Sequence, residues 1–275
     1  LKEVSSRKIP LYGISALFTP NHIFFKFYGG LHRKMLGFFK HTFVQNASSL
    51  ELLRSIGIKE ASISGDTRFD RVLQTIAAPN AYPEISIFKG DAKLCIVGSA
   101  WPSDMQVLLS FMNESLDNLK FIIAPHLVDH PSVEKIKNGI TAKTHRYSDD
   151  KDIPSDTQVL VLDTMGMLSS VYQYGDFAYI GGAFGDGLHN ILEAVAFGLP
   201  VVYGDKGLEK FPESLALAKL NGGFVIKNES EASNMLNQLL DDGYRETASQ
   251  VCKDYISENA GATQRIMDYL TTQST

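Results

Sequence analysis

The stretch from Asp176 to Gly204, DFAYIGGAFGDGLHNILEAVAFGLPVVYG, reads as strand, glycine-rich loop, helix and strand. An apolar run over Phe177–Ile180 feeds Gly181, Gly182, Gly185 and Gly187. His189 and Asn190 then open a helical pattern over Ile191–Phe197, which Gly198 and Pro200 end before Val201 and Val202 begin the next strand. A strand–helix–strand unit belongs to a parallel sheet. A glycine loop feeding a helix N-terminus aims N–H groups and a positive dipole end at one point, where phosphate fits. The segment therefore predicts an α/β fold and suggests a nucleotide or nucleotide-sugar site.

The rest of the chain repeats the alternation. Strands are expected at Ile9–Ala16, Thr42–Gln45, Ala61–Ser64, Leu94–Val97, Phe121–Ala124, Val159–Leu162 and Phe224–Ile226. Helical patterns fall between them, at Ile23–Phe39, Asp104–Asn113, Pro131–Asn138, Met165–Tyr174 and Glu213–Leu220, with Ser48 and Glu51 resembling a capping box. PNAYPEISIFKGD, with Pro79 and Pro83, is the best linker candidate. This divides the 275 residues into a partial N-terminal domain, 1–78, and a complete C-terminal one, 79–255; a last helix, 256–275, is expected to pack back toward the first. Ligands in open α/β sheets bind outside the carboxyl ends of the strands. The loops there read GSAWPSD, PHLVDH, DTMG, GGAFGDGLHN and GDKGLEKFPE.

A formal charge of -5 makes no general case for nucleic-acid binding. The two cysteines, Cys95 and Cys252, lie far apart, and Cys95 sits in an apolar strand, so a disulfide framework is not expected. No cysteine–histidine cluster has metal-ligand spacing, and no apolar run is long enough to span a membrane. The chain opens at Leu1 without a signal-peptide pattern, and is read as a piece of a longer protein.

Each candidate residue has a plain alternative. Asn190 and Glu193 are an N-cap with its N3 partner, or a phosphate-side amide and a carboxylate for ribose hydroxyls. His126, after Pro125 at a strand end, is a loop residue or a group for a base or phosphate. Met165 and Gly166 open a helix capped by Asp163 or Thr164, or expose N–H groups to a ligand. Arg68, in GDTRFDR, belongs to a salt-bridged turn or faces developing negative charge. Pro20–Gln45 carries Lys26, Arg33, Lys34 and Lys40, no acid, and Phe24, Phe25, Phe27, Tyr28, Phe38, Phe39 and Phe43. It is a core helix with a basic face, or a surface for anionic lipid.

Together, IPLYGISA, FVQN, GDTRFDR, GSAW, IIAPH, VLDTMG, the Asp176–Gly204 segment and KFPE resemble the 3-deoxy-D-manno-octulosonic acid (Kdo) transferases over nearly the whole chain. The resemblance implies a glycosyltransferase-B fold whose C-terminal Rossmann-like domain binds CMP-Kdo, beside a partial N-terminal Rossmann-like domain. It implies inverting, metal-independent transfer of Kdo to a lipid A precursor in lipopolysaccharide synthesis, at the cytoplasmic face of the bacterial inner membrane. Membrane contact would run through 20–45, the piece itself being soluble, with no cofactor besides the donor. By the same resemblance Pro125 and His126 meet cytidine, Met165, Gly166 and Met167 match a Met-Gly-Glu element, and Asn190, Ile191, Leu192 and Glu193 match an Asn-x-Leu-Glu element. Ser99 and Gly182 complete the expected nucleotide set, and Arg68 stabilises the transition state. Met167 departs from the family's glutamate. The family's general-base glutamate, and a second functional glutamate, would precede Leu1, which implies that this piece alone is inactive. A UDP-sugar glycosyltransferase or epimerase, or a non-catalytic nucleotide-binding module, is the alternative.

Overall fold

A computed structural model of the chain describes residues 1–114, 118–185 and 187–273. Two compact units make it up: Leu1–Arg71 with Ser257–Thr275, and Val72–Ile256.

The first unit holds a parallel sheet of β1 (Tyr12–Ala16), β2 (His41–Val44) and β3 (Ala61–Ile63), in that order. The helix Ala47–Ser55 joins β2 to β3 and buries Leu50 and Leu53 against Phe18, Leu36, Val44 and Ala61. Its cap is Asn46, whose side chain accepts the Ser49 N–H at 2.9 Å, in place of the Ser48–Glu51 box expected from the sequence. Asp70 in turn accepts the N–H groups of Gly261 and Thr263 at the start of the helix Ala262–Thr272. The buried His41 ring lies between Ser62 Oγ, at 2.8 Å, and the Tyr269 hydroxyl of that helix, at 3.1 Å.

The single helix expected over Ile23–Phe39 is instead a 3₁₀ turn, Ile23–Phe25, followed by a helix, Gly30–Leu36. Gly29 makes the break: a Cβ there would lie 2.0 Å from the Ile23 carbonyl oxygen. The segment's aromatics then part ways. Phe24 and Phe25 pack on the core and Phe43 is buried, whereas Phe27 is 93% exposed and Tyr28 62%.

The second unit is a seven-stranded sheet, every pair parallel, in the order β10 (Gly223–Ile226), β9 (Val201–Gly204), β8 (Phe177–Ile180), β4 (Lys93–Ala100), β5 (Leu119–Pro125), β7 (Val159–Val161) and β6 (Thr144–Arg146). Central strands buried on both faces read as continuous apolar runs: Leu94, Cys95, Ile96 and Val97, and Phe177, Ala178, Tyr179 and Ile180, are all 0–1% exposed. β6 went unread because three half-buried residues carry no period. The linker candidate is a helix, Pro83–Lys89, with Pro83 at its first turn and Ile85 and Phe88 buried three apart. Lys89 closes an ion pair with Asp176 at 2.8 Å. Both cysteines are buried and free; burial pushes the Cys252 thiol up to about 12, which leaves it inert.

Candidate functional site

The order β8-β4-β5-β7 sets four of the inspected loops side by side at the carboxyl ends of neighbouring strands. β4 ends irregularly: its register with β5 slips between Val97 and Ala100, and Ser99 there takes φ 53°, a left-handed conformation that costs a non-glycine residue about 1–3 kcal/mol. The slip presses the Ser99 carbonyl against the glycine loop. A Cβ on Gly181 would fall 2.4 Å from that oxygen, so only glycine fits.

Asp104 organises this junction. Fully buried in the helix Pro102–Glu114, it accepts the Tyr179 hydroxyl at 2.8 Å, the Gly182 N–H at 3.0 Å and the Trp101 N–H at 2.9 Å. Nothing in the sequence separates it from an ordinary first-turn acid; its burial appears only on folding.

The glycine loop corrects the first reading of it. The N–H groups of Gly181, Gly185, Gly187 and His189 go to carbonyls of Gly98, Gly182, Gly182 and Gly181, and that of Gly182 goes to Asp104. These donors hold the loop's shape and are not aimed at a ligand. Gly182, at φ 97°, serves the same end: a Cβ there would fall 2.2 Å from the Gly187 carbonyl oxygen. The helix behind is Leu192–Ala196, five residues against the Ile191–Phe197 expected, too short for a substantial dipole.

Asn190 accepts the Leu192 N–H and donates to Glu193 Oε1, both at 3.1 Å. The pair is thus built as a unit: the amide pins the carboxylate. Ile191 and Leu192 are core residues, 1% and 0% exposed, so any ligand contact from them runs through backbone.

At the end of β7, Met165 is 86% exposed and Gly166 takes φ 83°, while Met167 is buried with its sulfur accepting from Thr164 Oγ1 at 2.8 Å. The helix begins only at Leu168, because the left-handed Gly166 interrupts the pattern that ran from Met165. Asp163 caps nothing here. Its carboxylate takes Arg146 at 2.7 Å and the Ser148 N–H and hydroxyl. Burial alone would raise its pKa; Ser148 and Arg146 outweigh that and hold it below the usual carboxylate range.

Pro125 and His126 follow β5 as read, with the His126 N–H on the Ala100 carbonyl at 2.9 Å. The His126 ring stacks on Trp101, centroids 4.2 Å apart and planes within 20°, and lies 4.6 Å from the His189 ring. Trp101 Nε1 donates to His189 Nε2 at 3.1 Å. Arg68 belongs to the first unit. Its guanidinium binds the buried Asp66 carboxylate at 2.7 Å while remaining 45% exposed, so the salt-bridged turn of the sequence reading is present. Among the described residues no group of three His, Cys, Asp or Glu is placed to hold a metal.

No family model matches the chain. Curated relatives do. The 3-deoxy-D-manno-octulosonic acid transferase of Aquifex aeolicus is 29% identical over 150 residues, 53% of this chain and 41% of the relative. That of Rickettsia typhi is 24% identical over 225 residues, 76% and 48%. The chain thus spans less than half the length of these relatives. Among solved structures, the C-terminal CMP-Kdo binding domain of WaaA from Acinetobacter baumannii aligns with TM-score 0.52 at 20% identity, covering 67% of this chain and 96% of that one. A UDP-N-acetylglucosamine 2-epimerase from Listeria monocytogenes aligns with TM-score 0.63 at 16% identity, covering 96% and 67%. The fold is that of the Rossmann-like, glycosyltransferase-B type α/β proteins. Within that class, the sequence matches support the Kdo transferase family for this chain.

Proposed function

We propose that this chain is the donor-binding part, with a portion of the acceptor side, of a glycosyltransferase that moves Kdo from CMP-Kdo to a lipid A precursor. The observation that carries the reading is the convergence of Ser99, His126, Gly182 and the Asn190–Glu193 pair at neighbouring strand ends, in a chain whose relatives are Kdo transferases.

In this reading Glu193, held by Asn190, accepts hydrogen bonds from the ribose hydroxyls. Gly182 and the Ser99 turn hold the glycine loop in the shape that borders phosphate. Pro125 and His126 lie at the base, and Met165 and Gly166 contribute backbone groups beside it. Met167, being buried, would meet the ligand through backbone only. Arg68 offsets charge as an acceptor hydroxyl attacks the anomeric carbon, with inversion and without a metal. The exposed Phe27, Tyr28 and Leu31, with Lys26, Arg33, Lys34 and Lys40 nearby in sequence, would rest on anionic lipid at the cytoplasmic face of the inner membrane.

Calorimetric titration with CMP, UMP and UDP tests the donor assignment. CMP is expected to bind tightest, and Glu193→Ala and Asn190→Ala to weaken it. Preference for a uridine nucleotide would remove the Kdo assignment; unchanged affinity in both variants would return the pair to simple helix capping.

A further inference from the structure

Three ring-bearing residues from three loops meet at the carboxyl ends of β8, β4 and β5: His189, Trp101 and His126. The Trp101 and His189 planes agree within 16°, and their centroids are 6.5 Å apart. An indole N–H donates in its own plane, so the 3.1 Å bond to His189 sets the two rings side by side, as one extended flat surface. His126, 4.2 and 4.6 Å from the two centroids, lies over their seam. The cluster is not sealed as a packing core would be: His126 is exposed and Trp101 and His189 are half-buried.

A cleft of about 130 Å³ opens at two of these rings, lined by Trp101, Pro102, Pro125, His126, Lys135 and Ile136. That is below the roughly 300–1,000 Å³ of sites that enclose a whole small molecule, and fits a flat portion of one. Its walls are mainly apolar, with Lys135 able to donate to a carbonyl at the ring's edge.

We propose that Trp101 is a recognition residue for the nucleobase: with His189 and His126 it forms the aromatic surface on which the base of a nucleoside monophosphate stacks. The proposal rests on the donor reading above and extends it to a residue that reading leaves without a role. Because His189 also ends the glycine loop, the surface ties base recognition to the loop that phosphate approaches.

Trp101 is the chain's one tryptophan, so its fluorescence reports this surface directly. CMP titrated into the full chain should change that emission saturably, in step with the binding isotherm from calorimetry. Base–aromatic stacking predicts that Trp101→Leu weakens CMP about tenfold, while ribose 5-phosphate, which lacks the base, binds as before. Trp101→Phe keeps a ring and should stay within about threefold of the parent; thermal melts confirm that both variants fold. Unchanged CMP affinity in Trp101→Leu overturns the proposal. So does an equal loss of CMP and ribose 5-phosphate, which marks a loop-holding role, and so does a Phe variant as weak as the Leu variant. UMP binding in preference to CMP, with the same dependence on Trp101, keeps the aromatic surface and removes the Kdo donor. Binding of neither nucleotide removes both.

Discussion

Ser15 and Ser99 share one backbone device in two different settings. Each stands one residue before the alanine that ends its strand, in a left-handed conformation, φ 54° and 53°, where the register with the neighbouring parallel strand slips. Around Ser99 the second unit supplies a buried carboxylate, Asp104, and a sheet of seven strands. Around Ser15 the first unit supplies three strands, with Ile14 54% and Ile63 47% exposed. The Ser15 hydroxyl meets Asp66 Oδ1 and the Thr67 N–H, each at 3.3 Å. A local turn of this kind can be specified by a few residues; what surrounds it depends on how much sheet and core the unit brings. The second unit's junction is secured from within, and the first leans on the Ala262–Thr272 helix through Asp70 and His41.

The largest expected effect tests the first half of that contrast. Asp104→Ala leaves the Tyr179 hydroxyl and two backbone N–H groups without their acceptor in an apolar interior, a loss on the order of 3–5 kcal/mol. Urea unfolding should show it in the second unit's transition, with nucleotide binding lost. A change below 1 kcal/mol would mean that Asp104 does not hold the junction.

Asp70→Ala tests the other half at smaller scale. Removing this cap from Gly261 and Thr263 should cost about 1–2 kcal/mol and expose the Ala262–Thr272 helix to limited proteolysis. Unaltered cleavage there would show that the first unit does not depend on the cap.

Acid should separate the units further. Burial lowers the His41 pKa below its ordinary 6.5, against an opposing pull from Glu60. The unfolded chain therefore takes up this proton more readily than the folded one. The stability from neutral His41 is complete above about 6.5 and declines as pH falls through that value toward the lower folded pKa. Asp163, in the second unit, is lowered from a carboxylate's ordinary value, so its contribution persists until pH drops below about 4. Melting followed from pH 7.5 to 5 should weaken the first unit before the second, and His41→Gln should flatten that early decline. Equal sensitivity of both units would break the contrast.

The smallest effect on folding belongs to Phe27, 93% exposed. Phe27→Ser should shift stability by less than about 0.5 kcal/mol yet reduce sedimentation with phosphatidylglycerol vesicles. Unchanged vesicle binding would count against the lipid-facing reading of 20–45.

Much of the site was legible in one dimension because strand ends and glycines are local signals. GSAW, PHLVDH, DTMG and GGAFGDGLHN were placed at carboxyl ends by the apolar runs before them, and those runs are β4, β5, β7 and β8. The helix start at Met165 was misread because nothing local announced that Gly166 would take φ 83°. The helix over 83–89 was missed because two prolines and a short period looked like a linker.

The sequence by itself determined the parallel α/β class, since runs of buried β-branched and aromatic residues alternating with helical patterns admit few other folds. It also determined which loops lie at the carboxyl ends of the strands; the strand order decided which of them are neighbours. Tertiary structure alone decided what those loops do with their donors. Which carboxylate is buried, which glycine N–H it captures, which aromatics stay in solvent, and that Trp101 lies flat against His189 from 88 residues away, all depend on contacts between distant segments. Hydrogen bonds and burial at such separations leave no periodic trace in the chain, because they are set by packing between elements and not within them.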